Sequence, residues 1–494
     1  MAKEIRGDDE RSTSFKDYVL LPSYTDKNCI IQNINIETEL SPLIKLKFPF
    51  IPAAMRSVTG YKMALEVARN GMIPFLPRSL ELEEIIRIIK DIKAKKDKLI
   101  IHNYPGIITA GPEDKFERVY EEKIKKYGHS TIPIVNEYGK YLGVFYYISP
   151  EKHPNDAKMK DLMKKNKNRE NIDFCLITAT EDKILEYMEK NGKKIMPILD
   201  NEGHLIKFAF KKDRPNYIAV SIDTYEGWKK RVDVAIEAGV DLISIDTSDA
   251  YNYWAVNVIK EFKKEYPNVP ICGGNIVTKE GFDCLVSHGA DIIKVGMGIG
   301  SICTTTEVKR VGRGGARSLI EVVNKRDEYF NKTGKYIPVI MDGSIENTGD
   351  MVIALAIGAD ALMMGKYFNQ FFEAEGTPLD AEKKPIDKPD ERENEIKYKE
   401  IWGEGSRRAM NLGRYSHETI KTFFPEGVEG IVKYRGRLKP NIEYDANIVK
   451  SSMSNAGCRN LKEFRENAIL ERLSEHGSRE TSFYGIETTN TIER

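Results

Sequence analysis

The sequence predicts an α/β fold, a (β/α)8 (TIM) barrel interrupted by an inserted module. Three observations carry that reading. Eight short apolar runs recur along the chain, most of them followed by a segment of helical period. Small or polar residues stand directly after the runs, where such a barrel keeps its chemistry. The cadence breaks once, for about 140 residues between the second and third runs. A doubly wound open sheet is the alternative, but the count of eight and the lack of an early GxGxxG turn favour the barrel.

The runs fall at 48–53, 72–76, 217–222, 241–245, 270–273, 292–295, 337–341 and 361–364. Helical spacing marks 60–70, 228–238, 252–265, 280–288 and 348–357 between them. Asp246-Thr247-Ser248, Gly274-Asn275, Asp342-Gly343-Ser344 and Gly365-Lys366 follow the later runs. From Phe371 to about Tyr398 the chain turns polar, proline-containing and mixed in charge. That composition predicts a loop at the barrel rim, read either as a mobile lid over about 371–430 or as a solvated excursion. The expected division is 1–95 and 214–494 for the two parts of the barrel, and 96–213 for the insert.

The insert is internally duplicated. Thr131-Ile132-Pro133-Ile134-Val135 and its following Gly139 recur as Lys194-Ile195-Met196-Pro197-Ile198-Leu199 and Gly203, with both prolines and both glycines 64 residues apart. The pattern resembles the cystathionine-β-synthase-type (CBS, or Bateman) pair. That resemblance implies either an adenine or guanine nucleotide site or a purely structural insert.

Composition narrows the partners. Lys and Arg number 76 against 75 Asp and Glu, a balance that argues against nucleic acid or an anionic membrane. No apolar stretch approaches the ~18 residues of a membrane span, and the N-terminus has no apolar signal core. The six cysteines show no CxxC spacing and the seven histidines no HxH or HExxH cluster, so neither a disulfide framework nor a zinc site is implied. A soluble cytoplasmic protein is the expectation.

Chemistry concentrates at Gly296-Met297-Gly298-Ile299-Gly300-Ser301-Ile302-Cys303-Thr304-Thr305. Three alternate glycines free the backbone for a close approach, and the turn delivers one cysteine after a strand. The reading is a nucleophile, or else a phosphate-binding turn with an incidental cysteine. Asp342 at a strand end suits two vicinal sugar hydroxyls, while Gly343, Ser344, Gly365, Lys366 and Ser301 suit a 5′-phosphate. Together they describe a nucleoside monophosphate. Asp246, Thr247 and Ser248 suit a second nucleoside, or else the approach to the helix beginning near Asn252, with Asp249 the better candidate for its N-cap.

Gly298-Ile299-Gly300-Ser301-Ile302-Cys303-Thr304-Thr305, Asp342-Gly343-Ser344-Ile345, Met364-Gly365-Lys366-Tyr367-Phe368, Trp402-Gly403-Glu404-Gly405-Ser406 and Glu426-Gly427-Val428 resemble the IMP dehydrogenase / GMP reductase family over nearly the whole chain. The resemblance implies NAD-dependent oxidation of IMP to XMP, a step of guanine nucleotide synthesis, through a thioimidate on Cys303. It implies Arg414 beside Tyr415 as the base for water, with Thr305 orienting that water. It implies IMP contacts at Ser301, Asp342, Gly343, Ser344, Gly365, Lys366, Gly403, Glu404, Gly405 and Glu426. NAD contacts are implied at Asp246, Thr247, Ser248, Asn275, Gly296, Met297 and Gly298, and a K⁺ site at the carbonyls of Gly298, Gly300 and Cys303. A homotetramer that can pair into an octamer is also implied. Three departures stand out: Ser344 where the family has glycine, Ile401 where a tyrosine is common, and no C-terminal Glu-Gly-Gly, with 474–477 the nearest stretch. The alternatives are an NADPH-dependent GMP reductase and a catalytically idle nucleotide sensor.

Overall fold

The computed structural model describes residues 4–6, 12–94, 99–103, 108–124, 131–147, 152–163, 174–193, 195–211, 215–409, 427–474 and 476–477. Each of the eight apolar runs contributes one strand: β1 Phe50–Pro52, β2 Phe75–Leu76, β3 Ala219–Ile222, β4 Leu242–Ile245, β5 Ile271–Ile276, β6 Ile292–Val295, β7 Val339–Asp342 and β8 Ala361–Met364. They lie in the order β1-β8-β7-β6-β5-β4-β3-β2, every bonded pair parallel. The outermost two are consecutive in the chain, so the sheet curls into a nearly closed (β/α)8 barrel. The strands β1 to β7 are followed in turn by α1 Tyr61–Arg69, α2 Leu82–Ala94, α3 Trp228–Ala238, α4 Tyr253–Glu265, α5 Lys279–Ser287, α6 Gly315–Thr333 and α7 Thr348–Ile357.

Strand periodicity sorts the core into two layers. Ile51, Leu242, Ile292, Ile340 and Met363 point into the barrel. Their neighbours Phe50, Ile243, Ile293, Met341 and Leu362 pack against the helices. A hairpin of Thr38–Ser41 and Ile44–Leu46 adds Leu40, Ile44 and Leu46 to the interior cluster. The hairpin packs over one mouth of the barrel, and the polar residues that end the parallel strands gather at the C-terminal mouth.

Two local expectations need correction. The N-cap of α4 is Asn252, whose side chain accepts from Ala255 N at 3.0 Å; Asp249 instead accepts from Tyr251 N in the preceding turn. The charged segment from Phe371 to about Tyr398 is not an open loop. Phe371, Phe372, Leu379, Ile386 and Ile396 are buried, and Pro378–Leu379, Tyr398–Trp402 and Glu429–Lys433 form a three-stranded antiparallel sheet. Phe372, Ile386 and Ile396 find one small core with Tyr434 despite the charges between them, and Phe371 joins the main core around the barrel.

The chain divides into two compact units, 1–95 with 216–494, and 96–215. In the second, the duplicated stretches build the same turn twice. Asn136 Oδ1 accepts from Tyr138 N and Lys140 N; Asp200 Oδ1 accepts from Glu202 N and His204 N. Gly139 and Gly203 close those turns at φ +79° and +90°, in the left-handed region that glycine tolerates. Among the described residues, no helix is long and apolar enough to cross a membrane.

Candidate active site

The glycine-rich turn leaves β6 under steric constraints that only glycine meets. At Gly296 (φ +137°) a Cβ would lie 2.2 Å from Asp342 O, and at Gly298 (φ +70°) 1.8 Å from Thr306 Oγ1. Thr306 Oγ1 donates to Gly298 O at 3.0 Å, and Cys303 N donates to Gly300 O at 3.0 Å. The turn thus presents Cys303, half-buried, with Sγ 3.2 Å from Thr305 Oγ1. Its backbone is also bridged to Gly427, and Val428 N donates to Ile302 O at 3.0 Å. Gly403 N donates to Val428 O, which brings the Gly403-Glu404-Gly405 stretch against the same turn.

These elements enclose a cavity of about 300 Å³ at the C-terminal mouth. Its wall includes Cys303, Thr305, Asp342, Gly343, Gly403, Glu404, Gly405, Asp246, Thr247, Ser248, Asn275, Gly296, Met297, Gly298 and Gly300. The nucleophile candidate, both candidate sugar-binding aspartates and the glycine turn therefore share one space. Ser301, Ser344, Gly365 and Lys366 do not line it. Gly343 N and Ser344 N donate to the carbonyls of Met363 and Ile299, each at 3.1 Å. Glu404 Oε1 accepts from Arg56 N at 2.6 Å, tying the Trp402–Gly405 end to the loop after β1. Ile401 is buried and does not line this cavity. Arg414, Tyr415 and Glu426 lie outside the described residues, as does Glu475.

The floor of the cavity is a charge cluster. Lys294, from the middle of β6, is 2% exposed, with Nζ 3.6 Å from Asp246 Oδ1 and 3.8 Å from Asp342 Oδ2. Burial alone would lower its ammonium, but Asp246 and Asp342 outweigh burial and hold it above the ordinary value. Asp342 lies deep yet keeps 24% of its side chain open to the cavity. Burial pushes its carboxyl up, and Lys294 and Asn275 pull it part of the way back. Asn275 Nδ2 donates to Asp342 Oδ2 at 2.9 Å and to Gly296 O at 2.6 Å. Arg78 Nε stands 3.9 Å from Asp246 Oδ2.

Lys294 and Arg78 are site residues that strand spacing alone passes over. The signal for the first was one lysine inside the otherwise apolar Ile292-Ile293-Lys294-Val295; a charge there is costly unless it is paired. Arg78 stands just beyond the end of β2, at the same mouth.

A family model described as IMP dehydrogenase / GMP reductase domain matches residues 12–484. The inosine-5′-monophosphate dehydrogenase of Tritrichomonas foetus is 33% identical, covering 93% of each chain. That of Aquifex aeolicus is 30% identical over 98% of each, and that of Methanocaldococcus jannaschii 30% identical over 97% of this chain and 96% of the other. Among solved structures, a GMP reductase variant from Trypanosoma brucei in complex with guanosine 5′-monophosphate superposes with a TM-score of 0.67. It covers 96% of this chain and 98% of its own at 22% identity, a likeness of fold.

Proposed function

The chain belongs to the IMP dehydrogenase / GMP reductase family, and on that premise we propose that it oxidises IMP to XMP through a covalent thioimidate on Cys303. The observation that carries the reading is the shared cavity: one sulfur on a glycine turn faces the same space as two strand-end aspartates. The Cys303 thiolate adds to C2 of the purine, and C2 gives up its hydrogen with both bonding electrons. NAD, when bound, supplies the acceptor for that hydride. Water then adds to the sulfur-bound carbon, the C–S bond breaks, and XMP leaves with the thiolate restored. The balance is IMP, NAD and water to XMP, NADH and a proton.

In this reading Asp342 accepts from the ribose hydroxyls of IMP, and its phosphate, reaching beyond the described cavity wall, falls to Ser301, the Ser344 hydroxyl, Gly365 and Lys366, because the N–H groups of Gly343 and Ser344 are already engaged. Gly403, Glu404 and Gly405 cover the base together with Glu426. Arg414 beside Tyr415 takes the proton of the attacking water, and Thr305 orients that water. A guanidinium is ordinarily protonated, so the role asks for a site that favours its neutral form.

The residues present fit NAD. Asp246 keeps 20% of its side chain open for sugar hydroxyls, and Thr247, Ser248 and the Gly296-Met297-Gly298 turn border the same cavity. They also fit K⁺ by donor chemistry. The Gly298 and Gly300 carbonyls each accept one internal hydrogen bond and retain a second lone pair, and with Cys303 O they form the part of a hard-oxygen set that this loop supplies. The same reading makes 96–215 a CBS pair for an adenine or guanine nucleotide, and gives a cytoplasmic homotetramer or octamer.

GMP reduction is the second reading, because the family whose model matches this chain includes GMP reductase. Incubation with IMP and NAD, and separately with GMP and NADPH, followed at the nicotinamide absorbance band, decides between them. The expected result is NADH from the first mixture alone. Cys303→Ala should abolish that signal, a loss of at least ~1,000-fold, while equilibrium dialysis still detects bound IMP. NADPH consumption with GMP would establish the reductase instead.

A further inference from the structure

We propose that Lys294 is a positioning residue, one buried ammonium that serves the two nucleotide-binding carboxylates Asp246 and Asp342 and links the grip on one nucleotide to the grip on the other. The inference rests on the reading above, in which Asp342 holds the sugar of IMP and Asp246 that of NAD.

The geometry is that of a shared counter-ion. Distances of 3.6 and 3.8 Å from Nζ to the two carboxylates exceed a direct hydrogen bond, so the ammonium stands between them and is committed to neither. Its side chain is 2% exposed, which removes water as a competing partner. Room for it depends on Gly274, where a Cβ would lie 2.6 Å from Lys294 Cβ. The other groups facing this cluster are Arg78, Asn275 and Cys272. Arg78 reaches Asp246, Asn275 donates to Asp342, and burial holds the Cys272 thiol protonated, at about 11. Among the described residues, Lys294 is therefore the cation within salt-bridge distance of both carboxylates.

Two carboxylates facing one cavity repel each other, and each stays ionised only while a counter-charge is near. An ionised carboxylate accepts from both hydroxyls of a vicinal diol, whereas a protonated one gives up part of that capacity. Whatever alters the charge at Asp246 changes how much of the Lys294 field is left for Asp342. Coupling of that kind is reciprocal between the two ligands.

The test uses the full chain. Lys294→Met should raise KM for IMP and KM for NAD together, each by at least ~10-fold (about 1.4 kcal/mol), with kcat changed by less than ~3-fold. Lys294→Arg should recover much of both. In Lys294→Met, IMP affinity measured by calorimetry should fall as pH is lowered from a higher pH than in the wild type, because Asp342 takes up its proton sooner. Where that variant fails to fold, Asp246→Asn gives the complementary reading. IMP binding without NAD should then keep its strength to lower pH than in the wild type, although Asp246 does not touch IMP. A loss confined to one nucleotide, a loss in kcat alone, or IMP pH profiles that superpose in all three proteins would overturn the proposal. Wild-type protein that turns over IMP with unchanged profiles in the variants removes only the role of Lys294. Wild-type protein that binds no IMP removes the functional reading beneath it.

Discussion

Ser344 sits at φ +61°, where a side chain with Cβ is strained by roughly 1–2 kcal/mol. The strain is retained because Ser344 N donates to Ile299 O, clamping the turn after β7 to the cysteine turn after β6. Ser344→Gly keeps that bond and relieves the strain. We expect it to raise unfolding stability by up to ~1 kcal/mol in chemical denaturation, less whatever the added freedom of the unfolded chain removes. Cys303, Asp342 and the alternate glycines were legible in the sequence because their residue types are unusual just after an apolar run. Lys294 was not, since burial and partnership are three-dimensional facts: its counter-ions come from the ends of two other strands. The engaged N–H groups of Gly343 and Ser344 were equally out of reach, because their acceptors lie on β8 and the cysteine turn.

Among the elements, the strand Tyr398–Trp402 shows how charge misleads. A segment rich in Lys, Glu and Pro reads as loop, yet Lys399 is 2% exposed and donates to the carbonyls of Phe371, Phe372 and Ala374. Three acceptors satisfy the ammonium and fasten the sheet to the segment after β8. Burial pushes Lys399 down to about 7, against the pull of Glu373 and Glu375. Between that value and the ordinary 10.5, the unfolded chain holds the proton and the folded chain does not. Stability from this group therefore rises with pH across the window, and the cost of burying the charge is fully present below it. The stability difference between wild type and Lys399→Met should shift in the wild type's favour from about pH 6.5 to about pH 9. Its slope is at most ~1.4 kcal/mol per pH unit. Thermal melts of both proteins across that range would show it; a flat difference would mean that the carbonyls keep the group charged throughout.

For the molecule as a whole, the eight-run count and the single break in cadence were enough to predict the barrel, because strand period and strand-end polarity are local properties. The break also falls where a barrel tolerates one. The helix α2 is complete before it, and Asn216 beyond it returns to the same place: its side chain donates to Ile92 O at 3.2 Å, and its carbonyl accepts from Lys93 Nζ at 3.0 Å. Replacing residues 96–215 by a short Gly/Ser linker should leave a folded barrel, with NADH formation from IMP within ~3-fold of the full chain. Circular dichroism and the nicotinamide assay would check both. The main-chain bridge between Cys303 and Gly427 carries a kinetic corollary. On the proposed reading of Cys303 as nucleophile, this bridge and the Gly403–Val428 bond tie its peptide to the Gly403-Glu404-Gly405 stretch proposed to cover the purine, so a movement that uncovers the site reaches the sulfur's backbone. That reading couples the emptying of the pocket to the re-arming of the thiol, and a mutation that slows one is expected to slow the other.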